Sequence, residues 1–255
     1  MLSSIEILIL SAIQGVSEFL PVSSAAHLVL VSKYYIFNNQ NLLIDICLHL
    51  GSLIAIVFYF RKDLIDFVKN KNFLIKILVG TIPVIVFGYI IYKTGLINQL
   101  RNLEIIGWMT LIFGILLYIS DRFKVIKKIE TDFNYKSVIF IGLFQVLALI
   151  PGVSRSGITI TSGRLLGFNR FDSTKISFFL SIPTLASASI LGIYDIYKEE
   201  SPELNFLAII AVLFSFIFSY LTISLFLNYI KKFSLNIFVI YRIILSLLIL
   251  SLVYL

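Results

Sequence analysis

One cysteine, Cys47, and two histidines, His27 and His49, occur in the 255 residues. A single thiol cannot build a disulfide framework, and so few imidazoles leave no ligand set for a zinc or iron–sulfur centre. Charge is scarce too. Asp, Glu, Lys and Arg make up 14% of the chain, which excludes a disordered segment and, despite the net charge of +7, a nucleic-acid module. The N-terminus lacks a basic region followed by a short apolar stretch and a small-residue cleavage site, so it is expected to be retained rather than removed as a signal peptide. No Gly-Lys-Ser/Thr follows a glycine-spaced loop, which removes a Walker-type nucleotide site. A hard, oxygen-bound cation is the metal chemistry left open.

Apolar residues are what the chain has in excess. They make up 59% of it, with a mean hydropathy of +0.99, against roughly 45 to 50% in soluble domains. A soluble domain of this size has too little interior to hide them, so a bilayer is the expected solvent. Runs long enough to cross roughly 30 Å of hydrocarbon, about 17 to 25 residues each, lie near 42–60, 74–92, 104–121, 176–194, 206–228 and 235–254. Two further stretches, 3–31 and 137–167, are apolar at their ends but interrupted. Glu18, Pro21, Ser23, Ser24 and His27 break the first, and Pro151, Gly152, Ser154, Arg155 and Ser156 break the second. Irregular backbone at membrane depth is tolerated only where protein or a cavity surrounds it, so both stretches are expected as re-entrant helix hairpins. The expected fold is an all-α polytopic membrane protein with six transmembrane helices and two re-entrant hairpins.

Lys and Arg counts in the short loops give the orientation. Twelve lie on one side, from Arg61, Lys62 and Lys76 through Arg122 and Lys136 to Lys231 and Lys232. Only Lys33, Lys93, Arg101 and Lys198 lie on the other. The basic side is expected in the cytoplasm and both termini outside. The +7 is thus a topology signal with anionic headgroups as a secondary partner. Pro21 and Pro151 sit in similar breaks, each opening a half of one hairpin plus three spans. Residues 1–128 and 129–255 then form two repeats, and an odd number of spans inverts the second relative to the first. The hairpin tips enter from opposite sides and are expected to meet near the midplane.

An ionisable group in hydrocarbon costs roughly 2.5 to 3.5 kcal/mol on insertion scales, so Glu18, His27 and Arg155 are expected to face an aqueous cavity. Gln14 and Glu18 are spaced i and i+4 and can offer oxygens from one helix face to Mg2+ or Ca2+. His27 lies three residues after Ser24 on the same face. The run Pro151-Gly152-Val153-Ser154-Arg155-Ser156-Gly157-Ile158-Thr159 joins a loosened backbone, hydroxyls and a guanidinium, the parts of an oxyanion cradle. Small-residue helix packing accounts for Ser181 to Ser189, but it does not explain an arginine inside the membrane. Phosphate-ester or pyrophosphate chemistry on a lipid fits these groups. Lipid phosphatases of the acid-phosphatase type need a histidine downstream of their arginine, and none follows His49.

The segments Gln14-x-x-x-Glu18-Phe-Leu-Pro-Val-Ser-Ser24-x-x-His27 and Pro151-Gly-Val-Ser154-Arg155-Ser156-Gly-x-Thr159 closely resemble the two signature motifs of the bacterial undecaprenyl-diphosphatases, also called bacitracin resistance proteins. The resemblance extends to the length, to His49-Leu-Gly-Ser52 and to Leu180-Ser-Ile-Pro183. It implies hydrolysis of undecaprenyl diphosphate to undecaprenyl phosphate and inorganic phosphate, recycling the carrier lipid of peptidoglycan synthesis in the bacterial plasma membrane and conferring bacitracin resistance. It also implies a need for Mg2+ or Ca2+. Carried over by position, Glu18, Ser24, His27 and Arg155 are catalytic, and Ser154, Arg155, Ser156 and Thr159 bind the diphosphate. Gln14 and Glu18 hold the cation, with Gln14 standing where many members have a second glutamate. Ser24 as nucleophile, with His27 or Glu18 taking its proton, and a metal-activated water remain alternatives. The site is expected to open outward, and a homodimer is compatible with the wide apolar helix faces. The competing reading is a transporter or flippase for a phosphorylated isoprenoid lipid, because inverted repeats with broken helices also suit alternating access.

Overall fold

A computed structural model describes residues 4–34, 42–69, 71–198 and 206–254, and among them every regular element is helical. The first interrupted stretch forms α1 (Ser4–Ser17) and α2 (Ser24–Tyr34). Then come α3 (Leu42–Tyr59), the amphipathic α4 (Arg61–Lys69), α5 (Lys71–Thr94), α6 (Leu96–Leu100), α7 (Leu103–Asp121) and α8 (Ile129–Asp132). The second interrupted stretch forms α9 (Tyr135–Val146), one 3-10 turn at Leu147–Leu149, and α10 (Arg155–Leu165). Three long helices complete the chain: α11 (Arg170–Lys198), α12 (Phe206–Ile230) and α13 (Asn236–Tyr254).

Among the described residues, five helices, α5, α7, α11, α12 and α13, are long and apolar enough to cross a membrane, which makes the chain a multi-pass membrane protein. The run at 42–60 is apolar but shorter: the 18 residues of α3 reach about 27 Å at 1.5 Å per residue. Helix α11 begins well before its apolar run, and capping explains why. The Asp172 N–H donates to Asn169 Oδ1 at 2.7 Å, and Asn169 Nδ2 donates back to Asp172 Oδ2 at 2.9 Å, so the reciprocal cap starts the helix in polar sequence.

In a bilayer, apolar burial does little to hold helices together, and close approach and polar contacts take over. Helices α3 and α12 show both. Ser215 Oγ donates to Leu48 O at 2.6 Å and Ser219 Oγ to Ser52 Oγ at 2.9 Å, while a Cβ on Gly51 would collide with the Val212 carbonyl. Helices α5 and α9 meet at Gly80 and Gly142, where a side chain on Gly142 would drive into the Gly80 backbone.

One end of the bundle is tied by charge. Asp121, at the end of α7, accepts from Arg170 at 2.6 and 2.9 Å and from Leu235 N at 3.3 Å. Arg164 of α10 donates to the carbonyls of Asp121 and Phe123, and Lys175 pairs with Asp63 at 2.8 Å. Helices α7, α10, α11 and α13 therefore all reach this end, which is the basic side of the sequence count. The largest buried cluster, including Phe19, Phe60, Phe178, Phe179 and Phe226, lies within the bundle. Its edge-on Phe19–Phe178 pair, 5.3 Å between centroids, carries the first break.

Candidate active site

The two breaks bring their polar residues together. Helix α1 delivers Gln14, Glu18 follows directly on its last residue with its N–H still bonded to Gln14 O at 2.9 Å, and the turn through Pro21 ends at Ser24, the first residue of α2. The Glu18 side chain is 6% exposed, and its Oε1 accepts from Arg155 Nη2 at 2.9 Å. Its Oε2 accepts from Gln14 Nε2 at 2.9 Å and from Ser24 Oγ at 3.0 Å. One buried carboxylate thus gathers three other expected site residues, Gln14, Ser24 and Arg155. Arg155 also donates through Nη1 to Ser177 O at 3.3 Å, and its guanidinium lies 5.8 Å from the centre of the Phe19 ring.

Ser154, Ser156 and Thr159 complete the second break, each with a distinct duty. Ser154 has left-handed backbone (φ 71°) and caps α10, its Oγ accepting from Gly157 N at 3.2 Å. Ser156 Oγ donates across to Leu20 O at 2.7 Å, locking one break to the other. Thr159 is fully buried beneath Arg155, with Oγ1 2.8 Å from Arg155 O and 2.6 Å from Ser177 Oγ. It braces the turn that presents the arginine.

His27 is oriented differently. Its Nδ1 lies 2.7 Å from Ser23 O, and its Nε2 bonds the Tyr241 hydroxyl, with the rings stacked 5.7 Å apart. The i, i+3 spacing does place Ser24 and His27 near each other, but the imidazole is taken up by Ser23 and Tyr241. Glu18, instead, receives the Ser24 hydroxyl. His49 stands within electrostatic reach of Glu18, with Nδ1 2.8 Å from Asp45 O.

Gln14 Oε1 is buried without a hydrogen-bond partner. A buried orphan carbonyl beside a carboxylate is costly in a finished protein interior, and a hard-oxygen pair of this kind suits a divalent cation. Among the described residues, no three His, Cys, Asp or Glu side chains gather to hold a metal, here or elsewhere.

Sequence reading missed Arg242. It sits inside the apolar run 235–254, fully buried, and donates to the carbonyls of Pro21, Gly152 and Val153. The signal was present, since an arginine in mid-span is itself a marker of function.

Fold and site together define a helical, multi-pass membrane protein with a buried Glu–Arg–Ser cluster where two broken helices meet. The sequence profile of the family described as bacitracin resistance protein BacA matches residues 7–248, and the chain belongs to that family. It is 56% identical over 251 residues to a protein of Pelagibacter ubique named undecaprenyl-diphosphatase, covering 98% of both chains. Proteins of the same name from Dinoroseobacter shibae and Ruegeria sp. are 38% and 35% identical, covering 97 to 98% of this chain and 98% of their own.

Proposed function

We propose that this chain hydrolyses undecaprenyl diphosphate to undecaprenyl phosphate and inorganic phosphate in the bacterial plasma membrane. Its relatives of the same length carry the name undecaprenyl-diphosphatase, and the observation that carries the reading is the Glu18–Ser24–Arg155 cluster. Arg155 offers a planar fork to phosphate oxygens. Ser24, a weak nucleophile alone, has its hydroxyl directed at Glu18, which can accept the proton as Oγ attacks the terminal phosphorus. The bond to undecaprenyl phosphate breaks, the phosphoryl group passes to Ser24, and water later releases it as inorganic phosphate. Arg155 offsets charge developing on the transferred oxygens.

Gln14 and Glu18 are the residues that would hold a divalent cation, Mg2+ or Ca2+. Such an ion supplies charge neutralisation to the diphosphate. Ser154 and the start of α10 serve the anion, Ser156 and Thr159 hold the loop, and His27 with Tyr241 borders the cluster.

The topology follows the same reading. Helices α3, α5, α7, α11, α12 and α13 are taken as six spans, and α1–α2 and α9–α10 as re-entrant hairpins in two inverted repeats, 1–128 and 129–255. Matching left-handed serines at Ser23 and Ser154 support the duplication. Gathering of the basic loops at one end supports placing that end in the cytoplasm, with the site opening outward.

Phosphate release from undecaprenyl diphosphate by the purified protein, with and without chelator and beside Arg155→Ala, tests the reading. Release lost in the variant is the expected result. No release from folded wild type with any divalent cation would overturn it in favour of lipid transport.

A further inference from the structure

Arg242 is the largest fully buried side chain among the described residues. The four ion pairs found among them involve Arg155, Arg164, Arg170 and Lys175. Arg242 has only backbone carbonyls. Nη1 donates to Pro21 O at 3.3 Å and Val153 O at 3.1 Å, Nη2 to Gly152 O at 3.0 Å, and Nε to Thr110 O at 3.2 Å. One guanidinium therefore grips the first break, the second break and α7. A buried charge without a counter-ion is a heavy liability for a part whose duty is only to fasten loops.

The bonding has a directional consequence. Every peptide described is trans, so each C=O points opposite to the N–H of the same unit. With Val153 O held by Arg242, the Ser154 N–H points away from it. That N–H has no acceptor among the described residues, whereas the neighbouring Val153 N–H is taken by Ile150 O at 3.2 Å. Ser154 keeps its left-handed φ at the same point, and Arg155 follows directly. Successive N–H groups around such a residue form an anion-binding concavity, and Arg242 stands behind the peptide planes with an unpaired positive charge.

We infer that Arg242 is a positioning residue for the diphosphate: it fixes the backbone of both breaks so that the Ser154 N–H and the Arg155 fork serve one phosphoryl group, and it supplies positive charge from behind. The inference rests on the diphosphatase reading. Gly114 provides a way to disturb Arg242 while retaining its charge, because a Cβ there would lie 3.1 Å from Arg242 Cβ and 3.4 Å from Nε.

The experiment compares wild type, Arg242→Lys and Gly114→Ala, purified in detergent, by steady-state phosphate release and by thermal unfolding with and without inorganic pyrophosphate. Lysine keeps the charge but cannot span all four carbonyls from its single nitrogen. Arg242→Lys is expected to lose kcat on the order of 100-fold with KM changed less than about threefold, and to lose the rise in Tm that pyrophosphate gives wild type. A lower Tm with unchanged kcat per folded molecule would overturn the inference by reducing Arg242 to a fastener. Should Arg242→Lys not fold, Gly114→Ala decides: a several-fold fall in kcat at unchanged Tm supports positioning, and wild-type turnover overturns it. A wild type that releases no phosphate but is stabilised by pyrophosphate, with the effect lost in Arg242→Lys, would sink the diphosphatase reading and leave the positioning of the anion standing.

Discussion

Ser23 and Ser154 adopt the same unusual conformation at equivalent points of the two breaks. Both have left-handed backbone, φ 74° and 71°, and each side chain caps the helix that follows, Ser23 Oγ accepting from Ala26 N and Ser154 Oγ from Gly157 N. Outside glycine this conformation costs roughly 1 to 2 kcal/mol, and it persists where surrounding structure demands it.

Ser23→Gly relieves the backbone and loses a cap worth only a few tenths of a kcal/mol relative to glycine, so its Tm should equal or exceed that of wild type. Ser23→Ala keeps the strain and loses the cap, and should be destabilised by about 1 kcal/mol. Thermal unfolding in detergent ranks the three proteins. Alanine and glycine variants of equal stability would refute the strained-cap description.

Replacement of Ser24 by alanine should lower phosphate release by more than about 100-fold, the scale of a lost assisted proton transfer. Rapid quenching of wild type with substrate labelled in the terminal phosphate should leave label on Ser24. Turnover within tenfold of wild type and unlabelled protein would assign the attack to water.

Arg155→Lys keeps a positive charge but loses the fork that meets Glu18 and Ser177 together. Activity should fall at least about 100-fold, with Glu18→Gln falling comparably because Ser24 then faces an amide. Near-full turnover in Arg155→Lys would remove the clamp from the mechanism.

Since His27 bonds Ser23 and Tyr241 while Glu18 takes the Ser24 hydroxyl, His27→Gln should cost only several-fold in kcat, and Tyr241→Phe should resemble it. A loss in His27→Gln as deep as that of Ser24→Ala would make His27 the proton acceptor.

Chelation should abolish phosphate release and added Mg2+ or Ca2+ restore it. Gln14→Glu, which places a second carboxylate beside Glu18, should lower the cation concentration needed for half-maximal rate, and Gln14→Leu should raise it. Titrations that leave that concentration unmoved in both variants would separate Gln14 from the metal.

Much of this arrangement is legible in local sequence. Pro21, Pro151 and Gly152 disrupt apolar periodicity, and the helices stop within a few residues of them. The Gln14–Glu18 contact follows from i, i+4 spacing, because the helix itself brings the pair together. What stayed hidden depends on partners far along the chain. Tyr241 claims His27 across 214 positions, so the face shared with Ser24 did not decide the orientation of the ring. Arg242 was absorbed into a run of apolar residues because a spanning segment is judged by its average. Helix α4 also went unread, its amphipathic pattern being short and polar enough to pass for a loop.

The Glu18–Arg155 pair makes anion entry an exchange. A phosphate that reaches the guanidinium competes with a carboxylate already bonded to it at 2.9 Å. Phospholipid headgroups surround the protein in vast excess, but a phosphodiester brings a single negative charge to that contest and gains little by replacing another. A terminal diphosphate brings more charge and more acceptor oxygens, enough to take the fork and leave Glu18 free for the proton of Ser24. On the proposed mechanism the resting ion pair is thereby a filter on charge: a phosphodiester gains little by breaking it, whereas a diphosphate that breaks it releases the carboxylate Ser24 needs.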